Sequence, residues 1–201
     1  MKITNFGNLS VLLSGVIIST LLFAGSASAD DIRAAVSAGK KAPIFKMKTI
    51  DGKSVNFPAD YKGKVVLLDF WATWCPPCRA ELPNVVAAYQ KYHDKGFDVL
   101  SVSLDEPRQG PELLQFVHDH NMTWPQIYDG QYWQAAVAVE YGVDAIPCPV
   151  LVDGDTGLIL AVGVDAIGES LTQKIETNLA AKAKLQKIAP DVNQTSSGPE
   201  K

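Results

Sequence analysis

Two cysteines separated by two prolines are the residues of this sequence best suited to chemistry. They form the motif Cys75-Pro76-Pro77-Cys78, at the predicted junction of a strand and a helix. At this spacing the two sulfurs can bridge, and we expect the first to be exposed and the second to lie beneath it. Unpaired N–H groups at the start of the helix favour the Cys75 thiolate, which is the form that attacks a disulfide. The motif therefore predicts dithiol–disulfide exchange but does not fix its direction.

A paired cysteine motif can also be a zinc half-site or an inert structural disulfide. Zinc needs a second pair of Cys or His ligands, and His93, His118 and His120 lie in predicted helical segments without zinc-knuckle spacing. A disulfide that closes so short a loop would add little stability, because the entropy of loop closure grows with loop length. We therefore expect a catalytic pair, with no metal and no cofactor.

Predicted strands and helices alternate around the motif. The apolar run 65–70 predicts a strand buried on both faces, which ends directly at the motif. Apolar residues at helical spacing follow from Cys75, and we expect Pro83 to kink this helix before Gly96 ends it. The other predicted elements are a hairpin turning at 51–53, strands at 97–104, 124–128, 150–152 and 158–164, and helices at 111–120, 133–141 and 168–189. This order predicts an α/β fold with a mixed central sheet flanked by helices.

The first 29 residues have the features of a secretion signal. Lys2 precedes an apolar stretch at 9–23, and the small residues Ala27-Ser28-Ala29 suit a signal peptidase, so we expect cleavage after Ala29. A retained anchor is the alternative, but a spanning helix needs about 20 apolar residues. We therefore expect a periplasmic protein, secreted across the inner membrane, whose mature chain has no stable membrane insertion. The predicted organisation is a signal peptide 1–29, an N-terminal segment 30–41, one catalytic domain 42–189 and a flexible tail 190–201.

Charge and cysteine count narrow the classes of partner. The chain has 18 Lys and Arg against 22 Asp and Glu, with a net charge of −4. An acidic balance without a basic cluster argues against nucleic acid as a partner and against binding to anionic lipid. Three cysteines, Cys75, Cys78 and Cys148, are an odd number and cannot form a closed disulfide framework. The expected partners are other proteins or small thiols.

The segment 65–79, VVLLDFWATWCPPCR, resembles the active-site region of TlpA/ResA-type thioredoxin-like proteins of the redoxin superfamily. The similarity extends to Pro83, 141–143, 146–147, 43–45 and 51–52, and covers most of residues 42–180. It implies a thioredoxin-like fold for 42–189, with an N-terminal hairpin extension and with Pro147 as a cis-proline opposite the motif. It also implies an exported reductase of disulfide-containing clients of the cytochrome c maturation or metallochaperone type, with a membrane thiol-transfer protein as electron donor.

The same resemblance implies roles for individual residues. Cys75 would attack a client disulfide, and Cys78 would resolve the mixed disulfide. The surface on which the client docks would be bordered by Trp74, Pro76, Pro77, Ile146 and Pro147.

Asp69 lies where thioredoxins carry a buried acid beneath the second cysteine, whereas many TlpA-like proteins have a neutral residue there. A buried carboxyl at this position could accept the Cys78 proton during resolution. The alternative is a carboxylate that is hydrogen-bonded at a strand edge, and the sequence leaves both interpretations open.

Cys148 directly follows Pro147, at a position where the resembled family usually has Thr, Ser or Ala. We expect its sulfur to lie near the redox pair. Three interpretations compete: a small buried core thiol, a third redox-active cysteine, or a third soft ligand for Cu(I) beside Cys75 and Cys78. We favour the core thiol, since cysteine commonly serves as a small buried apolar residue.

Two other functions belong to different classes. A copper-binding or delivery protein could use Cys75, Cys78 and Cys148, although Sco-like proteins use a wider cysteine spacing and a distant histidine. A thiol peroxidase of the redoxin superfamily needs Pro-x-x-x-Thr-x-x-Cys, and here Leu68 and Ala72 occupy the proline and threonine positions. The sequence therefore favours disulfide exchange over both.

Overall fold

The computed structural model describes residues 28–188, so most of the predicted signal peptide and the predicted tail lie outside the described residues. Seven strands and five α-helices occur in this range. The strands are β1 Phe45–Lys48, β2 Ser54–Phe57, β3 Val65–Trp71, β4 Phe97–Ser103, β5 Gln126–Ile127, β6 Cys148–Asp153 and β7 Ile159–Val162. The helices are α1 Ala29–Ala35, α2 Pro76–Tyr92, α3 Gly110–Asp119, α4 Ala136–Glu140 and α5 Gly168–Ile188.

Two apolar strands form the centre of the main sheet. Every residue of β3 and β4 is buried, as expected for strands covered on both faces. The strand order is β5-β4-β3-β6-β7, with β3, β4 and β5 parallel to one another and β6 antiparallel to both β3 and β7. The antiparallel pair β1 and β2 forms the separate hairpin. This mixed sheet with flanking helices confirms the predicted thioredoxin-like α/β fold and its hairpin extension.

Several element boundaries differ from the prediction. The predicted N-terminal segment 30–41 lies partly within α1, whose N-cap is Ser28, so the proposed cleavage point falls in the first turn of this helix. The helix predicted at 133–141 is divided into a 3₁₀ turn, Tyr132–Gln134, and the short α4. Ala135 between them is extended, with φ −52° and ψ 126°. Helix α2 continues past Pro83 to Tyr92.

The chain before β2 forms backbone hydrogen bonds with both edge strands of the main sheet. At the β7 edge, the N–H of Gly39 donates to the carbonyl of Ile159, and the N–H of Ile159 donates to Lys40, each at 2.8 Å. At the β5 edge, the N–H of Ile50 donates to the carbonyl of Gln126 at 2.8 Å. The segment 39–50 therefore satisfies backbone groups that an edge strand would otherwise leave unpaired.

None of the helices within residues 28–188 combines the length and the apolar character needed to cross a membrane.

Candidate active site

The two cysteines of the motif are joined by a disulfide at the start of α2. Their Cα atoms are 5.3 Å apart and the S–S distance is 2.04 Å. Cys75 is the N-cap residue of α2, and its Sγ accepts a hydrogen bond from the N–H of Cys78 at 3.2 Å. The proline that follows Cys75 suits the first helical position, where an N–H would have no partner within the helix. Since Pro76 and Pro77 have no N–H, the N–H of Cys78 is the first one of α2, and it is directed at the sulfur of Cys75.

The expectation that the first cysteine is exposed is wrong for the disulfide form. Cys75 is 2% exposed and Cys78 is 5% exposed. Cys75 is covered because its Sγ lies 3.7 Å from the carbonyl oxygen of Ile146, in the loop before β6. The peptide bond between Ile146 and Pro147 is cis, as the family resemblance implied. A client must therefore reach the sulfur between this loop and the start of α2.

The other residues predicted to border the client surface surround this position. Pro76 and Pro77 are exposed, and Trp74 is 37% exposed. Ile146 and Pro147 are half-buried. The structure therefore brings all five of these residues around the disulfide.

A small cavity beneath the disulfide connects Cys78 to Asp69. Its lining includes Asp69, Cys78, Glu81 and Pro147. Asp69 lies within the central strand β3, paired with Ser101 on β4 and with Pro149 on β6, so the alternative of a strand-edge carboxylate is wrong. Burial raises the pKa of Asp69 to about 7, and the negative charge of Glu81 contributes to the rise. A carboxyl with this pKa can both hold and release a proton near neutral pH.

Glu81 is a member of this cavity that sequence reasoning missed. Its Oε1 accepts the N–H of Gly168 at 2.6 Å, and its Oε2 accepts the side-chain amide of Asn84 at 3.0 Å. The first bond ties α2 to the beginning of α5. A signal was present in the sequence, since a residue three positions after Cys78 lies on the same face of a helix.

Asp105 is a second missed residue, and it holds the segment that leads to Cys75. It is fully buried just after β4, where its carboxylate accepts the N–H of Thr73 at 3.2 Å and also the Thr73 hydroxyl. The hydroxyl of Ser103 donates to the same carboxylate at 2.7 Å. The indole N–H of Trp74 donates to the carbonyl of Leu104 at 3.2 Å. The residues that follow β4 therefore fix the two residues before Cys75.

Cys148 begins β6 and pairs in register with Phe70 on the central strand. It is half-buried and packs against the hydrophobic core, which agrees better with a core residue than with an open redox site. Within the range 28–188, no three His, Cys, Asp or Glu side chains are grouped so that they could hold a metal ion.

Replacing Cys148 with alanine is expected to leave insulin reduction within about twofold of the wild-type rate. The reason is that this side chain packs against the core and lies outside the lining of the cavity that joins Asp69 to Cys78. The loss of one half-buried sulfur is expected to reduce the free energy of unfolding by about 1 kcal/mol. Insulin turbidity and chemical denaturation measure the two effects. A large loss of turnover in a folded variant would show that Cys148 takes part in the chemistry.

The chain is similar to proteins of one redox family. The AhpC/TSA family model matches residues 38–162, a range that contains Asp69, both cysteines of the disulfide and Pro147. The thiol-disulfide oxidoreductase ResA of Bacillus anthracis is 33% identical over 153 residues, which cover 76% of this chain and 79% of that protein. ResA of Geobacillus thermodenitrificans (strain NG80-2) is 31% identical over 145 residues, covering 72% of this chain and 80% of that protein.

Solved structures show the same similarity. The thioredoxin domain of a thiol-disulfide oxidoreductase from Bacteroides vulgatus superposes with a TM-score of 0.61 at 29% identity, covering 71% of this chain and 98% of that one. A thiol:disulfide interchange protein from Bacteroides sp. superposes with a TM-score of 0.61 at 28% identity, covering 73% and 92% of the two chains.

Proposed function

Because the chain belongs to the AhpC/TSA family and resembles ResA-type proteins over most of its length, we propose that it reduces protein disulfides outside the cytoplasm. The chain is a thiol:disulfide oxidoreductase of the TlpA/ResA-like type. Its clients contain disulfides, and a redox partner must restore its dithiol after each turnover. The direction of transfer, the roles of individual residues and the compartment are the parts that we propose.

The proposed reaction has two exchange steps. The thiolate of Cys75 attacks one sulfur of the client disulfide, forming a mixed disulfide and releasing the other client sulfur as a thiolate, which takes a proton from water. The thiol of Cys78 then gives its proton to the Asp69 carboxylate, and its sulfur attacks the Cys75 sulfur. This closes the Cys75–Cys78 disulfide and releases the second client thiolate. The client gains two electrons and the pair loses two.

The acidic surroundings of the disulfide are the observation that carries the proposed direction. Asp69 and Glu81 line the cavity next to Cys78, and none of the described residues that line it is basic. The Sγ of Cys75 also faces the carbonyl oxygen of Ile146. At Cys75 the N–H of Cys78 supports a thiolate, but Pro76 and Pro77 have no N–H to add to it. Nearby negative charge and the carbonyl dipole oppose the thiolate, and strongly oxidising pairs are those whose reduced thiolate is strongly stabilised. This environment therefore favours the disulfide form, which makes the dithiol a reductant.

The reduction potential of the pair tests this direction. We expect a value close to that of thioredoxin, about −270 mV, and well below the value of about −120 mV found for a strong oxidant such as DsbA. Equilibration with redox buffers of known potential, followed by mass spectrometry of alkylated protein, measures it. A potential above about −180 mV would contradict a reductase and would favour an oxidase or isomerase.

The proposed compartment and partners come from the sequence and the family. The signal-like segment 1–29 supports export to the periplasm, with cleavage after Ala29. Family resemblance supports clients of the cytochrome c maturation or metallochaperone type and a membrane thiol-transfer protein as electron donor. Sequencing the N-terminus of the protein recovered from a periplasmic fraction tests export. If the protein were found only in the cytoplasm, with its N-terminal Met1 still present, export would be contradicted.

A further inference from the structure

Three aromatic rings form a continuous patch beside the reactive cysteine. We use the term aromatic patch for Trp74, Tyr132 and Trp133. The Trp74 ring centroid lies 5.3 Å from that of Tyr132 and 6.0 Å from that of Trp133, and the last two are 5.8 Å apart. Trp74 is 37% exposed, and the other two side chains are half-buried. The aromatic patch therefore adjoins the place where a client disulfide must dock.

The loop that carries Tyr132 and Trp133 is held in a costly conformation. Tyr132 has φ +54°, in the left-handed region that bulky side chains rarely adopt. Asp129 fixes the loop on both sides of this residue, since its carboxylate accepts the N–H of Gln131 at 3.0 Å and the N–H of Ala136 at 2.9 Å. Backbone strain of this kind persists where surrounding contacts enforce it, and it is often found at binding sites.

Trp74, the third member of the aromatic patch, is also held in place by hydrogen bonds. Its indole N–H is already used on the carbonyl of Leu104, and Asp105 holds the preceding residue Thr73. Trp74 therefore offers a client only its apolar ring surface. The three rings lie close enough to contact one another, so they present one continuous apolar surface. The surface suits a flat or bulky apolar group that lies against it.

We propose that the aromatic patch binds an aromatic side chain next to the client cysteine that Cys75 attacks. Trp74 is adjacent to Cys75 in the sequence, so a ring bound there would belong to a residue within one or two positions of the client cysteine. The contact would hold the client disulfide over the reactive sulfur and would give the enzyme a sequence preference. This inference rests on the proposed exchange at Cys75 and names the class of client that it prefers.

Two matched disulfide peptides test the preference. They differ only in Phe or Gly next to the attacked cysteine, and their reduction by the dithiol protein is followed as a second-order rate constant. Each rate constant is divided by the rate constant for reduction of the same peptide by dithiothreitol. This removes the intrinsic difference in reactivity between the two disulfides. We expect the wild type to favour the Phe peptide by about fivefold. We expect this ratio to fall to about one in Trp133→Ala and in Tyr132→Gly.

The Tyr132→Gly variant keeps the loop foldable, because glycine adopts positive φ without a steric penalty. Leu114→Ala is the matched control, since it removes an exposed apolar side chain on α3, 47% exposed, outside the aromatic patch. It should retain the fivefold ratio. A wild-type ratio near one, or an unchanged ratio in both patch variants, would overturn the inference. Failure of the wild type to reduce either peptide would instead contradict the proposed function.

Discussion

A Cys78→Ala variant is expected to stop after the first exchange step and to lose at least about 10³-fold of its turnover with insulin. Cys75 can still attack, but the sulfur that would displace the client from the mixed disulfide is missing. The variant should therefore accumulate as a covalent complex. With the chromogenic disulfide DTNB, it should release one equivalent of thionitrobenzoate, whereas the wild-type dithiol should release two in successive phases.

Two other cysteine variants make this result interpretable. Cys75→Ala should lose the fast first phase, since the sulfur at the helix N-terminus is the one proposed to attack. Cys148→Ala should keep both phases, which controls for the removal of a thiol as such. If Cys78→Ala released two equivalents at the wild-type rate, another group would be resolving the mixed disulfide, and the two-step scheme would be wrong.

An Asp69→Asn variant is expected to resolve the mixed disulfide about 10²-fold more slowly at pH 8, with little change in the first step. At this pH the wild-type carboxyl, with its pKa raised by burial to about 7, is ionised and can accept the Cys78 proton. The amide cannot. The second, concentration-independent phase of the DTNB reaction measures resolution alone. In the wild type its rate should rise with pH and level off above about 7, and this rise should be absent from the variant.

The same variant separates proton transfer from a structural role. Between the unfolded pKa of 3.8 and the folded pKa of about 7, native Asp69 keeps a proton that the unfolded chain has lost, so wild-type stability falls as pH rises. From pH 5 to pH 8 this fall should be about 2–3 kcal/mol greater in the wild type than in Asp69→Asn. Denaturation of the oxidised proteins at both pH values measures it. If a stable variant resolved the mixed disulfide at the wild-type rate, the proposed role of Asp69 would be wrong.

The elements that local pattern dictates were predictable from the sequence. The apolar run that begins at Val65 gave the central strand, and the positions of Pro76 and Cys75 gave the start of α2. The helix predicted at 133–141 was partly wrong because its interruption depends on a contact across the loop. Asp129 accepts the N–H of Ala136, seven residues later, and Ala135 is extended as a result of this arrangement. Periodicity carries no information about such a bond.

The residues of the candidate active site likewise include some that could be predicted from the sequence and some that could not. The cysteine pair, Asp69 and the cis-proline could be found from the motif and its family resemblance. Asp105 could not, because its partner Thr73 is 32 residues away and only the parallel pairing of β3 with β4 brings them together. The burial of Cys75 likewise depends on Ile146, which is 71 residues away. Long-range contacts set the accessibility of the Cys75 sulfur, whereas the local sequence sets its position at the start of α2.

The segment 39–50, which runs from β7 to β5, limits how a partner polypeptide can be recruited. Its hydrogen bonds pair with the start of β7 and with β5, so part of each lateral edge is closed to an extended client that would add a strand there. The loop at Ile146 and Pro147, beside the sulfur of Cys75, lies away from these paired segments and stays available for backbone contacts with a client.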